Sequence, residues 1–458
     1  MANTGEGTDI PDTLLIKNAR HIITCDDSDL MYESAGIYIE DGVIRYIGKD
    51  APGCADLIDA SEMAVYPGLV NTHHHLYQIL TRNLPQVQHL ELFDWLRALY
   101  SLWARLDADS LYAAVSAGLG ELLLSGCTTC FDHHYVFPRG CGDLLEAEFE
   151  AASRLGIRMT ASRGSMSRGE SSGGLPPDSV VQTVDEILAD SRDAISRFHD
   201  PSPYSMRQVV LAPCSPFSVT DDLMRESAAL AREYKVRLHT HLAETKDEEA
   251  FVLEKYGMRP LAYMESLGWL GPDVWFAHGV HFSESELHQM GKAGVGVAHC
   301  PAANMKLSSG VARVPEMLEL GVPVGLGVDG SASNDASSLP EQIRLGYLLH
   351  RLSSGDRAPS GYDMLKLATR GGARLLGRSD IGMIAPGMAA DLFLVDETRI
   401  ELSGATFDPK SMLATVGLSG RTDYTIVNGR VVVREGRLTG ADEAELNRAV
   451  YAEVLRLQ

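Results

Sequence analysis

Eight short, apolar, β-prone runs alternate with amphipathic stretches through the middle of this chain, and five of the runs end in a histidine or an aspartate. The strand candidates are Gly68 to His75, Thr128 to His134, Arg158 to Arg163, Val209 to Cys214, Val236 to Leu242, Val274 to His278, Val295 to His299 and Val324 to Asp329. Between them, stretches such as Leu111 to Ser125 and Asp221 to Tyr234 carry the apolar spacing of helices. Such alternation predicts an α/β fold, a (β/α)8 TIM-like barrel, whose chemistry gathers at the C-terminal strand ends. Four segments at or just past these strand ends can each deliver a metal ligand or catalytic group to one point: Asn71-Thr-His73-His74-His75, His239-Thr-His241-Leu-Ala-Glu244, Ala277-His278-Gly279 and Gly327-Val-Asp329-Gly330.

Side chains alternate along a strand, so a His-x-His pair presents both imidazoles on one face. His73 and His75 from the first strand, His241 from the fifth and Asp329 from the eighth offer three neutral nitrogens and one carboxylate. That donor set suits one divalent ion, zinc or iron(II), with water completing the shell. A lone His-x-His reads better as a hydrogen-bonded structural pair; three more strand-end residues in register favour the metal. His74 should face away from the ligands, and His239, deeper in its strand than His241, should pack rather than ligate. His133 and His134 end the second strand, where one of them could line the pocket. His299 ends the seventh and suits either substrate contact or structural hydrogen bonding.

One rival signature is present. His89-Leu-Glu91 with Cys127-Thr-Thr-Cys130 imitates the zinc motif of nucleobase deaminases. Gly126 stands where that motif has proline, the cysteines fall in a β-prone run, and His89 and Glu91 lie in a helix-like stretch with Leu92, Leu96, Leu99 and Trp103 as its apolar face. Surface residues and small packed cysteines explain it better.

The 458 residues exceed one typical domain and fit a large barrel with an attached unit. Short strands open the chain, with Asp41-Gly42 as a hairpin turn, and the same texture returns in Asp391 to Asp396 and Tyr424 to Val433, turned by Asn428-Gly429. Residues 1–66 and 386–458 are therefore expected to form one composite β-sandwich, and 67–385 the barrel. The Ser-, Gly- and Pro-rich segment Gly164 to Asp178 reads as a mobile loop over the barrel mouth. With 40 basic against 62 acidic residues, a net charge of −22 argues against a nucleic-acid partner. Seven irregularly spaced cysteines imply no disulfide framework and point to the reducing cytoplasm. The polar opening Met1 to Asp9 lacks the features of a signal peptide, and no apolar run is long enough to predict a membrane span.

Pro67-Gly-Leu-Val-Asn-Thr-His-His-His75 and Ala385-Pro-Gly-Met-Ala-Ala-Asp391-Leu392 resemble motifs of the amidohydrolase superfamily, and the likeness covers nearly the whole chain. His241-Leu-Ala-Glu244, Ala277-His278 and Gly327-Val-Asp-Gly-Ser-Ala-Ser-Asn334 are similar to the branch of cytosine, adenosylhomocysteine and s-triazine hydrolases. One divalent metal is usual in that branch; Val209 to Cys214 offers no lysine for the binuclear alternative. Within the branch, His75 to Arg82, Leu92 to Leu96, Asp132 to Pro138 and Ala212 to Phe217 resemble 8-oxoguanine deaminases. Cys214 stands where many relatives carry a substrate-touching histidine, which suits an oxidised purine better than an adenosine.

The resemblance implies hydrolytic loss of ammonia from a free aminopurine. Asp329 would be ligand and base, His278 would orient the water and stabilise charge, and Glu244, one helical-type turn after His241, would protonate the ring nitrogen. Gln78 suits a purine edge, Cys214 the pocket floor, and Trp103 a stacking face, although an aromatic on a helix is more often core. The alternatives are a hydroxyatrazine-type s-triazine, or another aminopurine or aminopyrimidine. A non-enzymatic relative should have lost ligands, and every expected position is filled. A homo-oligomer is the expected assembly.

Overall fold

The computed structural model describes residues 12–54 and 56–457; the reading of Met1 to Asp9 lies outside them. Eight parallel strands form one sheet in sequence order: Leu69–Asn71, Cys127–Asp132, Arg158–Ser165, Arg207–Pro213, Arg237–Leu242, Val274–His278, Gly296–His299 and Val324–Leu326. Every residue of Cys127–Asp132, Val274–His278 and Gly296–His299 is buried. Both faces of a parallel sheet are covered, which is why these runs are continuous rather than alternating in hydrophobicity.

The barrel closes between its first and last strands. Thr72 N–H donates to Leu326 O at 3.0 Å, and Asp329 N–H to His73 O at 3.0 Å. Beyond them His74–His75 pairs in parallel with Asp329–Gly330. The predicted strand Gly68 to His75 is thus broken at Thr72-His73, where the backbone turns to make the seam.

The two ends of the described chain build a nine-stranded sheet. Its order runs Arg437–Leu438, Arg430–Arg434, Tyr424–Val427, Leu392–Asp396, Met63–Pro67, Thr13–Ile23, Met31–Glu40, Val43–Gly48, with Asp56–Asp59 beside Thr13–Ile23. Asp41 and Gly42 (φ 50° and 75°), like Asn428 and Gly429 (47° and 79°), take the left-handed pairs that two-residue hairpin turns require. Val43 bridges to Ala389, and Ala390 N–H donates to Gly42 O at 2.8 Å. The sheet therefore curls back around its own core of Ile16, Ile22, Ile37, Ile44, Val65, Leu392, Leu394 and Ile426.

A buried ion pair ties this sheet to the barrel. Arg158 Nε and Nη2 each donate to Asp391 at 3.1 Å, both side chains 1% exposed, and Asp391 Oδ1 also accepts Asn428 N–H at 2.7 Å. The aspartate of the Ala385 to Leu392 motif thus has a structural role.

Three readings change. The C-terminal segment ends in a helix, Glu443–Leu457, packed on Ala108–Leu124 of the barrel side, with Arg456 paired to Asp107 at 3.0 Å. Gly164 and Ser165, taken as the start of a loop, finish the third barrel strand. Further along that loop Arg168 is buried, donating to Val219 O at 2.9 Å and to Tyr256 Oη at 2.7 Å. The seven cysteines are all unpaired, and no described helix is long and apolar enough to cross a membrane.

Candidate metal centre and active site

His73, His75, His241 and Asp329 meet at the C-terminal mouth of the barrel. His75 Nε2 lies 3.1 Å from His241 Nε2, and Asp329 Oδ1 lies 3.3 Å from the Nε2 atoms of both His73 and His75. Their hydrogen bonds fix the tautomers. His75 Nδ1–H donates to His133 O and His241 Nδ1–H to Cys214 O, each at 2.7 Å. His239 Nδ1–H donates to Trp275 O at 2.9 Å, so its Nε2 accepts Nδ1–H of His73, also at 2.9 Å.

Each of the three rings is left with an Nε2 lone pair aimed at one point, together with a carboxylate oxygen. Lone pairs at this spacing repel in a buried site unless a cation lies among them. Nδ1 donors to carbonyls, leaving Nε2 free, are also how proteins orient metal-binding histidines. The donor set fits a divalent ion.

His239 emerges with a larger part than packing: it holds the ring of His73. Substituting His239 by leucine should weaken metal affinity by about 10- to 100-fold without unfolding the protein. Competition against a chelator, beside circular dichroism, measures this; unchanged affinity would reduce His239 to a packing residue.

Two catalytic candidates flank the donor set. Glu244 follows the fifth strand through Ala243, which takes a left-handed φ of 54°. It sits in a tight loop before the helix Lys246–Tyr256, not one helical turn beyond His241 as the spacing suggested. Burial pushes its carboxyl up to about 7, against the opposing pull of His278. His278, itself left-handed at φ 70°, donates Nδ1–H to Asn304 Oδ1 at 2.9 Å and turns Nε2 to within 3.6 Å of Glu244 Oε2. Burial disfavours its imidazolium, but the Glu244 and Asp329 carboxylates outweigh burial and raise it above its ordinary value. Asp329 is also left-handed (62°), and Ser333 Oγ–H donates to its Oδ2 at 2.9 Å.

A narrow cavity opens above these groups. Leu92, Trp95, Leu96, Tyr135, Phe217 and Leu307 supply apolar walls; Gln78, Cys214 and Ser333 complete the lining. Gln78 Oε1 is buried with no protein partner among the described residues. A Cβ on Gly330 would stand 1.8 Å from that oxygen, so only glycine lets Gln78 approach. Burial pushes the Cys214 thiol up to about 12, so it is a neutral wall and no nucleophile.

Trp103 does not reach the cavity. Its Nε1–H donates to Thr81 Oγ1 at 3.2 Å, and its ring packs edge-on against Trp95, centroids 5.5 Å apart. The helix Leu92–Trp103 turns its first two turns to the mouth, so the aromatic in contact is Trp95. Its place beside Leu92 and Leu96 on the apolar face was the available signal.

The other histidines divide. His74 points away, its Nε2 3.1 Å from Ser337 Oγ. His133 stacks on His241 (4.7 Å) and brings a nitrogen within 4.8 Å of the His73, His75 and His241 donors. His134 turns instead toward the buried carboxyls of Asp132 and Glu148. His299 faces His350, Nε2 to Nε2 at 3.2 Å, in a structural pair. His89 is exposed in a turn and Glu91 is the N-cap of the following helix, both just ahead of that helix rather than in it. Cys127 and Cys130 are buried in the second strand, as their packing role requires.

Comparison with known proteins agrees with this geometry. The Amidohydrolase family matches residues 64–432. The chain is 47% identical to 8-oxoguanine deaminase of Pseudomonas aeruginosa over 435 residues, 94% of this chain and 96% of that one. It is 41% identical to hydroxydechloroatrazine ethylaminohydrolase of Pseudomonas sp. (strain ADP), covering 95% and 94%. The crystal structure of atrazine chlorohydrolase from Arthrobacter aurescens TC1 complexed with zinc superposes with a TM-score of 0.93 at 34% identity, covering 96% of this chain and all of that one.

Proposed function

Because this chain belongs to the amidohydrolase family, we propose that it hydrolyses the exocyclic carbon–nitrogen bond of a free aminopurine, converting 8-oxoguanine to urate and ammonia. One observation carries the reading: a buried, protonatable Glu244 faces His278 beside three convergent imidazole lone pairs, under a cavity walled by Leu92, Trp95 and Leu96. His73, His75, His241 and Asp329 would hold one divalent ion, zinc or iron(II). That ion, when bound, supplies a Lewis acid that makes a water nucleophilic near neutral pH.

The protein's own groups do the rest. Gln78 offers its unpartnered amide oxygen to an N–H on the purine edge, and Trp95, Leu92 and Leu96 cover the ring. Asp329 removes one proton from the attacking water, while His278 orients that water and balances the developing charge. Glu244, neutral because it is buried, gives its proton to the ring nitrogen next to the amino-bearing carbon, so that the carbon accepts attack. The amine departs with the proton held by Asp329, and the remaining water proton restores Glu244.

An acid held up to about 7 sets a sign for the pH profile. An ordinary glutamate would be ionised from the acid range onward; here the donor form persists to neutrality. kcat/KM should fall above about pH 7, and this alkaline limb should be missing from Glu244→Gln. A limb unchanged in that variant would assign the ionisation elsewhere.

Ammonia release from 8-oxoguanine, guanine and a hydroxytriazine tests the assignment. 8-Oxoguanine should give the highest kcat/KM; no turnover of any oxidised purine would overturn it. The likeness to the hydroxydechloroatrazine enzyme favours, as second reading, the same machinery acting on a substituted triazine.

A further inference from the structure

Glu248 holds a buried carboxyl that forms no salt bridge among the described residues, and both of its oxygens are used on one turn. Oε1 accepts Ala243 N–H at 2.8 Å and Oε2 accepts Glu244 N–H at 3.0 Å. The other side of the turn is pinned as well: Leu242 O accepts Gly279 N–H at 3.2 Å and Ala243 O accepts His281 N–H at 2.9 Å. The segment carrying Glu244 is therefore clamped between Glu248 and the residues that follow His278.

Ordinary helix capping does not account for this. Glu248 is the third residue of the helix capped by Thr245, whose Oγ1 accepts Glu248 N–H at 3.3 Å. In a capping box the glutamate at that position returns to the N–H of the cap residue itself. Here it reaches past Thr245 to the two residues before it. One of those, Ala243, is left-handed (φ 54°), a strained conformation for a residue that carries a Cβ. Charge-assisted bonds to two amides offset that strain and the burial of the charge.

We infer that Glu248 is a positioning residue, which keeps the strained Ala243–Glu244 turn in place so that the Glu244 carboxyl faces His278 and the substrate ring. The inference rests on Glu244 being the proton donor. Burial pushes Glu248 up to about 7, and its charge helps to keep Glu244 raised.

Substitution separates positioning from general stability. In Glu248→Gln one acceptor becomes an N–H donor facing an N–H, and the turn loses half its clamp. We expect kcat to fall by about 10²-fold with KM little changed, the scale of a misplacement near 1 Å. Metal content should stay the same, and the alkaline limb should move to lower pH because the charge that raised Glu244 is gone. Adding Ala243→Gly, which takes left-handed backbone freely, should recover part of kcat. Glu249→Gln, at a partly exposed pair with Arg259, should match the parent. If Glu244→Gln is inactive while Glu248→Gln keeps the parent's kcat and pH limb, the inference fails and the functional reading stands. A retained activity in Glu244→Gln sinks that reading itself. Loss in Glu248→Gln that comes with metal release or unfolding, and no recovery with Ala243→Gly, would leave Glu248 a structural residue only.

Discussion

His73→Ala protein should come out of purification depleted of metal and with turnover lowered by roughly three powers of ten or more, since several kcal/mol of barrier reduction depend on the ion. The substitution removes one of three lone pairs and leaves His239 Nε2 without its donor. Chelation of the parent protein should give the same loss, reversed by one equivalent of zinc or iron(II) per chain; the variant should recover far less. Metal analysis and ammonia release on the same samples check both halves. Full metal content with full activity in the variant would remove His73 from the site.

Glu244→Gln should lower kcat/KM by about 10²–10⁴, the usual contribution of a placed general acid. Metal content and thermal stability should hardly move, because glutamine is of equal size and the turn below it is still clamped by Glu248. The comparison with His73→Ala is informative: one variant loses metal and rate together, the other rate alone. Equal loss of metal in both would mean that Glu244 supports the ligands and donates no proton.

The barrel was legible because burial on both faces writes a parallel strand as a continuous apolar run, and the strand ends carry the chemistry. Val274–His278 was predicted to the residue. His73, His75, His241 and Asp329 were found because donors that meet in space recur at equivalent ends of separate runs. What lay beyond them had no such period. Trp95 was hidden because a helix face says which residues are buried, not which of them borders a cavity. The relay through His239 depends on ring orientation across strands, and the clamp of Glu248 on a left-handed Ala243 that nothing in His241 to Glu248 announces. The C-terminal helix was missed because its buried contribution is slight: only Leu457 is buried along Glu443–Leu457.

The barrel's first and last strands meet through His73, His74, Asp329 and Gly330, so the donors straddle the place where the cylinder zips shut. A cation gripped there would work as a clasp as well as a reagent, fastening two segments that a growing polypeptide makes far apart. It could be captured only after the last strand has docked, which makes loading a checkpoint on completed folding. A chain stalled before Asp329 would hold histidines but no finished cage.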